Sequence, residues 1–258
     1  MKQFIISSLA IVFFNLASLA SPHTLHIQTF DEVYVKGACN FEIRYQPDSI
    51  GAMLVFASQE VYQNIEKALV QRSLYISVPS ANNTNTPRIV LYCDRNLQVL
   101  SVAERCKASL PHKINFSYDL SLIASTFATI SSSDIKASQI SISSTGGGQI
   151  SLNGVTSASN ITISNVGSGR ISIPNLKAND LSTTLRGSGL ITIGGNVANT
   201  PNFVLKGSGS IDISNIHAPR ISAAAYGEGF IYIPQNITID KQGAQEHITP
   251  RQLSKNHK

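Results

Sequence analysis

The chain has few of the residues that enzymes, nucleic-acid-binding proteins and metalloproteins concentrate. It contains no tryptophan and three cysteines, and charged residues make up only 14% of the composition. The formal net charge of +5 is small and scattered, so it gives no basis for nucleic-acid binding. No Cys-x-x-Cys pair occurs and no histidines stand at ligand spacing, so we predict neither a metal site nor a cofactor.

Long apolar runs are also absent, apart from one at the N-terminus. The segment Met1 to Ala20 has Lys2, an apolar stretch from Phe4 to Leu19, and small residues before Ser21. This pattern predicts a signal peptide at 1–20, and the stretch is too short and too interrupted by Ser and Asn for a membrane span. We therefore expect an exported protein that is periplasmic, at the cell surface or secreted, with no transmembrane span after cleavage.

Acidic residues are scarce where a carbohydrate-cleaving enzyme of repetitive fold would need them. Between residues 126 and 240 the acids are few, and three of them, Asp180, Asp212 and Glu228, stand at different positions of the repeat described next. A pair of catalytic carboxylates on one surface is therefore not indicated. We predict no enzymatic activity, with a carbohydrate-active enzyme as the third hypothesis.

A short glycine phrase recurs every 20 or 21 residues in the second half of the chain. It reads Gly146-Gly147-Gly148, Gly167-Ser168-Gly169, Gly187-Ser188-Gly189, Gly207-Ser208-Gly209 and Gly227-Glu228-Gly229. A fixed period of this length is typical of a solenoid, in which each coil buries its apolar face against its neighbours. We interpret the glycines, including Gly167, Gly169, Gly187, Gly189, Gly207, Gly209, Gly227 and Gly229, as structural corners.

Alternating isoleucines follow each glycine phrase, as in Ile171/Ile173 and Ile191/Ile193. This period-two pattern predicts short strands, and a second strand is expected later in each unit. The fold class predicted is all-β: a right-handed parallel β-helix of about 20-residue coils whose like side chains stack in columns about 4.8 Å apart.

The pattern divides the mature chain into one β-helix domain and a tail. Repeats cover 104–240, and irregular coils and a helix cover 21–103. The helix is predicted after Glu60, with Ser58 as N-cap and Val61, Ile65, Ala68 and Leu69 on one face, where it would cap the open end of the solenoid. Residues 241–258 are predicted to be a loosely ordered, polar and basic tail that is solvated or contacts an anionic surface.

The three cysteines of an exported protein suggest one disulfide and one remaining thiol. Cys39 and Cys106 occupy the same corner position of two similar segments, so they would pair if those coils were neighbours. Cys93 with Cys106 is the alternative, and the sequence leaves both pairings open.

The order of segments resembles a known bacterial family. Phe30-Asp31-Glu32-Val33 is followed by a helical pattern, by Ser73-Leu74-Tyr75-Ile76, and then by units such as Gly148-Gln149-Ile150-Ser151-Leu152-Asn153-Gly154. This arrangement is similar to the putative auto-transporter adhesin, head-GIN-domain family, over roughly Phe30 to Pro234. The resemblance implies a β-helical exported or surface protein, and it brings no catalytic residues. The early coils without glycine and the three cysteines depart from that family.

The outward positions of the coils are rich in Ser, Thr and Asn, and one patch near the last corners differs. There, Arg186 and Lys206 share a column with Tyr226, and Phe230 and Tyr232 are close by. Cationic and aromatic side chains suit a saccharide or an anion, while capping of the last coil is the alternative role for the rings. We predict a cell-envelope adhesion or binding module with a glycan or envelope surface as partner. End-to-end structural assembly through the coil edges is the second hypothesis.

Overall fold

Isoleucines at equivalent repeat positions lie directly over one another in the computed structural model, which describes residues 22–79 and 86–250. The column, each member of which is fully buried, contains Ile130, Ile150, Ile171, Ile191, Ile211 and Ile231. Each buried side chain of this size contributes roughly 1.5–3 kcal/mol to folding. The described residues form a β-solenoid of about 8 turns, which confirms the predicted fold class.

The solenoid consists of many short strands that share one continuous sheet. In chain order they are β1 (His23–His26), β2 (Glu32–Gly37), β3 (Asn40–Tyr45), β4 (Ala52–Phe56), β5 (Glu66–Val70), β6 (Ser73–Val78), β7 (Arg88–Cys93), β8 (Val99–Ala103), β9 (Lys107–Leu110), β10 (Ile114–Asn115), β11 (Leu120–Thr126), β12 (Thr129–Ser132), β13 (Ile135–Lys136), β14 (Gln139–Gly146), β15 (Gln149–Leu152), β16 (Val155–Gly167), β17 (Arg170–Gly187), β18 (Leu190–Val197), β19 (Asn202–Lys206), β20 (Ser210–His217), β21 (Arg220–Tyr226), β22 (Phe230–Ile233), β23 (Thr238–Gly243) and β24 (Ile248–Pro250). Within the described ranges, one α-helix, α1 (Gln59–Gln63), and two 3-10 turns, Pro47–Ser49 and Gln245–His247, interrupt them.

The coils present three faces, each a parallel ladder along the solenoid. The first face contains β6, β2, β8, β11, β14, the end of β16, the end of β17, β19, β21 and β23. The second contains β7, β3, β9, β12, β15, the starts of β17, β18 and β20, β22 and β24. The third is shorter and contains β10, β13, the start of β16, the middle of β17 and the ends of β18 and β20.

The corner between the first and second faces depends on glycine. Gly187 has a φ of +119°, and a β-carbon there would lie 2.6 Å from the carbonyl oxygen of Gly167 in the preceding coil. That carbonyl accepts hydrogen bonds from the backbone N–H groups of Ser188 and Gly189. Because successive corners approach one another this closely, a side chain at the first glycine of the phrase would push the coils apart.

The strands β2 and β3 come early in the sequence but lie inside the stack of coils. β2 lies between β6 and β8, and β3 lies between β7 and β9, so residues 32–45 are inserted between two coils that follow them in sequence. The irregular coils predicted for 21–103 therefore do not stack in the order of the sequence. The insertion brings Cys39 beside Cys106.

The N-terminal end of the solenoid is covered mainly by antiparallel strands. β5 pairs antiparallel with β6, β4 with β7, and β1 with β4. α1 lies between β4 and β5 and begins at the predicted N-cap, where the Ser58 hydroxyl accepts from the N–H of Val61. The predicted helix was too long, because Ala68 and Leu69 lie in β5, where they gain the edge hydrogen bonds of β6.

The C-terminal end carries one more partial coil than the sequence indicated. β23 runs through Lys241 to Gly243 on the first face, and β24 pairs with β22 on the second. Ile248 is buried and extends the isoleucine column, and the ammonium of Lys241 donates to the carbonyl oxygen of Ile248. The segment from 241 to 250 is therefore ordered, which corrects the predicted start of the tail, and residues 251–258 lie outside the described residues.

The predicted disulfide is not formed. Cys39 and Cys106 immediately precede the paired strands β3 and β9, and their sulfur atoms are 3.4 Å apart, well beyond the roughly 2.05 Å of a disulfide bond. Cys93 is buried at the end of β7, opposite Tyr45, so the alternative pairing with Cys106 is not formed either. All three cysteines are therefore unbonded, buried core residues.

One further expectation falls on undescribed residues. The predicted signal peptide at 1–20 lies outside the described ranges. Among residues 22–79 and 86–250, none of the helices has the length and apolar character needed to cross a membrane.

Candidate binding surfaces

The five residues predicted to form a binding patch lie on two faces of the solenoid. On the first face, Arg186, Lys206 and Tyr226 are in register on β17, β19 and β21, and we call this row the corner column. The ammonium nitrogen of Lys206 lies 5.8 Å from the ring centroid of Tyr226. Because two cations follow one another on neighbouring strands with no acid opposite them, the corner column presents positive charge.

The other two predicted residues, Phe230 and Tyr232, lie beyond the glycine corner on the second face. Their ring centroids are 6.1 Å apart, and Phe230 also stacks on His247 at 4.8 Å. Tyr232 stands opposite Thr249 of β24, so the last coil packs against this pair. The glycine corner of residues 227–229 therefore lies between these rings and the corner column, and the five residues occupy two adjoining faces.

Outward hydroxyl groups form a straight row on the second face, as the repeat spacing predicts. The residues in register are Ser109, Ser131, Ser151, Ser172, Thr192, Asp212, Tyr232 and Thr249. Asp212 accepts from the hydroxyl of Ser214 at 2.7 Å. Asp180, which accepts from Asn199, lies at another corner, and Glu228 lies in the last glycine phrase. The three acids considered for catalysis are thus spread over separate columns.

A groove that the sequence did not indicate lies at the other end of the first face. Its floor contains two tyrosines, Tyr34 of β2 and Tyr75 of β6, whose rings stack with centroids 4.9 Å apart and planes 11° apart. Ala68 and Ser101 lie before and after them in the same row. We call this space, which has a volume of about 370 Å³, the tyrosine groove.

Polar side chains line the adjacent row of the tyrosine groove. Glu66, Ser77 and Lys36 follow one another on β5, β6 and β2, next to the tyrosines. Carboxylate, hydroxyl and ammonium groups therefore lie beside the aromatic rings. Tyr75, one of the two tyrosines, is 45% exposed. An aromatic platform with a few placed polar groups is the arrangement with which proteins bind small polar ligands that have an apolar face.

Hydrogen bonds to neighbouring side chains on the same face orient Tyr34. The hydroxyl of Tyr34 donates to Glu32 at 3.1 Å, and the same carboxylate oxygen accepts from Ser73 at 2.6 Å. Burial, followed by the hydrogen bond to the Glu32 carboxylate, raises the pKa of Tyr34. The phenol is thereby kept as a neutral donor, which fixes the ring orientation of Tyr34 and, through stacking, that of Tyr75.

One wall of the tyrosine groove comes from the antiparallel end strand β5. Lys67 of this strand lines the groove, and its ammonium nitrogen lies 4.7 Å from the ring centroid of Tyr62, which in turn stacks on His23 at 3.9 Å. Burial lowers the pKa of Lys67. The groove therefore exists only because β5 folds back on β6, a contact that the helical sequence pattern of residues 60–69 concealed.

The comparisons with known proteins agree with the fold. The family model described as "Putative auto-transporter adhesin, head GIN domain" matches residues 29–194 and 156–242. Among curated proteins, none matches the sequence. The structure is similar to that of a putative adhesin from Bacteroides fragilis, with a TM-score of 0.72 and 16% identity over 86% of this chain and 96% of that chain.

Two proteins from Parabacteroides distasonis have the same fold. A putative adhesin has a TM-score of 0.57 and 16% identity, covering 83% of this chain and 81% of that one. A putative lipid binding protein has a TM-score of 0.53 and 19% identity, covering 87% and 97%. At these identities the likeness establishes the β-solenoid architecture.

Proposed function

The chain belongs to the putative auto-transporter adhesin, head GIN domain family, and on that premise we propose that it is an exported, non-enzymatic module that adheres to a saccharide-bearing surface of the cell envelope. The observation that carries the proposal is the tyrosine groove. Pyranose rings have an apolar face that stacks on tyrosine, and their hydroxyl groups bond to carboxylate, hydroxyl and ammonium groups such as those of Glu66, Ser77 and Lys36.

The scaffold supports the same proposal. The solenoid fixes outward side chains in straight rows, so binding groups need little ordering when a ligand arrives. The corner column of Arg186, Lys206 and Tyr226 is a second contact surface that we propose for anionic groups of the same envelope. Glycan-array binding of the full chain tests the function directly. We expect binding to a defined set of oligosaccharides, and an array without any bound saccharide would overturn the proposal.

Export is part of the proposal and has its own test. The sequence pattern of Met1 to Ala20 supports cleavage before Ser21. Cell fractionation should recover the chain outside the cytoplasm, with Ser21 as the first residue in N-terminal sequencing. Recovery of the uncleaved chain from the cytoplasm would contradict export, but it would not contradict saccharide binding by the tyrosine groove.

End-to-end assembly is the competing hypothesis. The direction of the strands at the two ends of the solenoid argues against it. At the N-terminal end the outermost strands, β1 and β5, run antiparallel to their neighbours, whereas β23 at the other end continues a parallel ladder. A parallel ladder therefore cannot continue from one molecule to the next through these strands with unchanged geometry. We expect a monomer in sedimentation velocity, and a mass that grows with concentration would favour assembly.

A further inference from the structure

The third face carries a row of exposed cations alternating with amide and hydroxyl groups. Along the solenoid, the residues in register are Asn115, Lys136, Ser157, Lys177, Asn196 and His217. Adjacent strands are about 4.8 Å apart, so Lys136 and Lys177, two coils apart, place positive charges roughly 10 Å from each other along a straight line.

This row runs through a shallow channel. Its two sections have volumes of about 640 and 370 Å³ and share Ser157 and Lys177, so they are continuous. In the larger section, small apolar residues flank the polar row: Ala158, Ala178, Val197, Ala198, Ala218 and Pro219. The channel is therefore open, narrow and parallel to the solenoid axis.

The lysines of the channel have no acid as a partner. Within residues 22–79 and 86–250, the ion pairs engage Arg44, Arg72, Arg88 and Arg220. One carboxylate, that of Asp134, lines the channel, and it accepts a hydrogen bond from the backbone N–H of Val155 at 2.8 Å. Lys113 adds a further cation at the same end. The channel thus carries an excess of positive charge.

We propose that this channel binds one chain of a linear acidic polysaccharide. Its carboxylates contact Lys136 and Lys177, and its hydroxyl groups bond to the interleaved Asn115, Ser157 and Asn196. The site lies on a different face from the tyrosine groove, and the proposal does not depend on that groove.

Other polyanions fit the channel less well. Single-stranded nucleic acid is held by aromatic rings on which bases stack, and no Phe or Tyr lines the channel. A membrane surface is bound by protruding apolar side chains next to cations, whereas the exposed large hydrophobic residues of the described chain lie elsewhere. A linear polymer of hydroxyl groups with recurrent carboxylates matches the alternation of cations with amide and hydroxyl groups along the row.

Binding of fluorescently labelled polygalacturonate oligomers, measured by anisotropy at low ionic strength, tests the proposal. The double variant Lys136→Ala/Lys177→Ala should weaken binding about five- to tenfold, because it removes two charge-assisted contacts. The matched control is Lys107→Ala/Arg170→Ala, which removes two exposed cations of the second face, lowers the net charge by the same amount and should change binding less than twofold. Equal weakening by both variants, or none by the first, would overturn the proposal.

Further experiments distinguish the ligand class and the site. Neutral dextran should not bind. The affinity for polygalacturonate should fall as the ionic strength rises, because a shorter Debye length screens the charges. Tyr75→Ala should retain polygalacturonate binding, so failure of the groove and failure of the channel are separable. Tighter binding of single-stranded DNA or of anionic vesicles, lost in the same lysine variant, would assign the channel to those partners and overturn the polysaccharide proposal.

Discussion

Tyr34 and Tyr75 stack face to face with ring centroids 4.9 Å apart, although 41 residues separate them in the sequence. They meet because β2 is inserted beside β6 and pairs with it in parallel. The aromatic surface of the tyrosine groove is therefore a consequence of coil order. If the coils were stacked strictly in sequence order, β2 and β6 would not be neighbours and the two tyrosines would not stack.

The glycine corners set the close approach of successive coils, which yields a stability prediction. Gly187→Val places a β-carbon against the carbonyl oxygen of Gly167 at a φ of +119°, so the free energy of unfolding should fall by about 1–3 kcal/mol or more. Urea unfolding followed by circular dichroism measures this change. Ser188→Ala, at the exposed middle of the same corner, is the control and should leave the midpoint unchanged. An unaltered midpoint in Gly187→Val would contradict the corner geometry.

The buried thiols should be unreactive in the folded protein. Burial raises the pKa of Cys93 to about 12, and the hydrogen bond to Cys39 together with burial raises that of Cys106. Because the thiolate is the nucleophile, iodoacetamide at about pH 8 should label the native chain far more slowly than the urea-unfolded chain. Mass spectrometry of the reduced protein counts the labels. Native labelling at the rate of a free cysteine would show that the core is not closed around them.

The ion pairs of Glu42 predict a pH-dependent contribution to stability. Burial alone would raise the pKa of the Glu42 carboxyl, but hydrogen bonds from Arg44 and Arg88 outweigh it and hold the pKa below 4.5. The contribution is thus present above the unfolded-state pKa and lost as pH falls through the lower folded-state value. Glu42→Gln should cost about 0.5–1 kcal/mol at pH 7 after solvent screening, and progressively less as the pH is lowered below the unfolded-state pKa.

Urea unfolding at a series of pH values from 7 downward measures this change. Glu228→Gln, which removes an exposed carboxylate at the last glycine corner, serves as the control and should leave the free energy of unfolding at pH 7 unchanged. A cost of Glu42→Gln that persisted unchanged at low pH would mean that packing of the side chain, and not its charge, stabilises the fold.

The sequence predicted the repetitive half of the molecule well because its side chains repeat with the coil. The spacing of Ile171 and Ile191 determines which residues stack, and the same register aligns Ser151, Ser172 and Thr192 outside. One feature of this half was missed. Ser144 and Asn165 point inward, where Asn165 donates to the carbonyl oxygen of Gly169, a role that no periodic pattern signals.

The N-terminal half was predicted less well because its contacts are set by partners distant in sequence. Residues such as Ala68 and Leu69 fit a helical face, yet the free edge of β6 draws them into a strand. The pairing of β2 with both β6 and β8 has no signature in spacing, so the tyrosine groove could not be predicted. Arg186, Lys206 and Tyr226, within the repeats, were correctly aligned with one another by counting positions.

Calorimetric titration of the protein with the oligosaccharide bound most tightly on the glycan array tests the central claim most directly. Tyr75→Ala should weaken this binding about fivefold or more, because it removes the exposed ring of the stacked pair. Tyr118→Ala removes another exposed tyrosine outside the groove and should bind like the wild type. Equal affinity of the Tyr75→Ala variant and the wild-type protein would contradict the assignment of the tyrosine groove as the saccharide site.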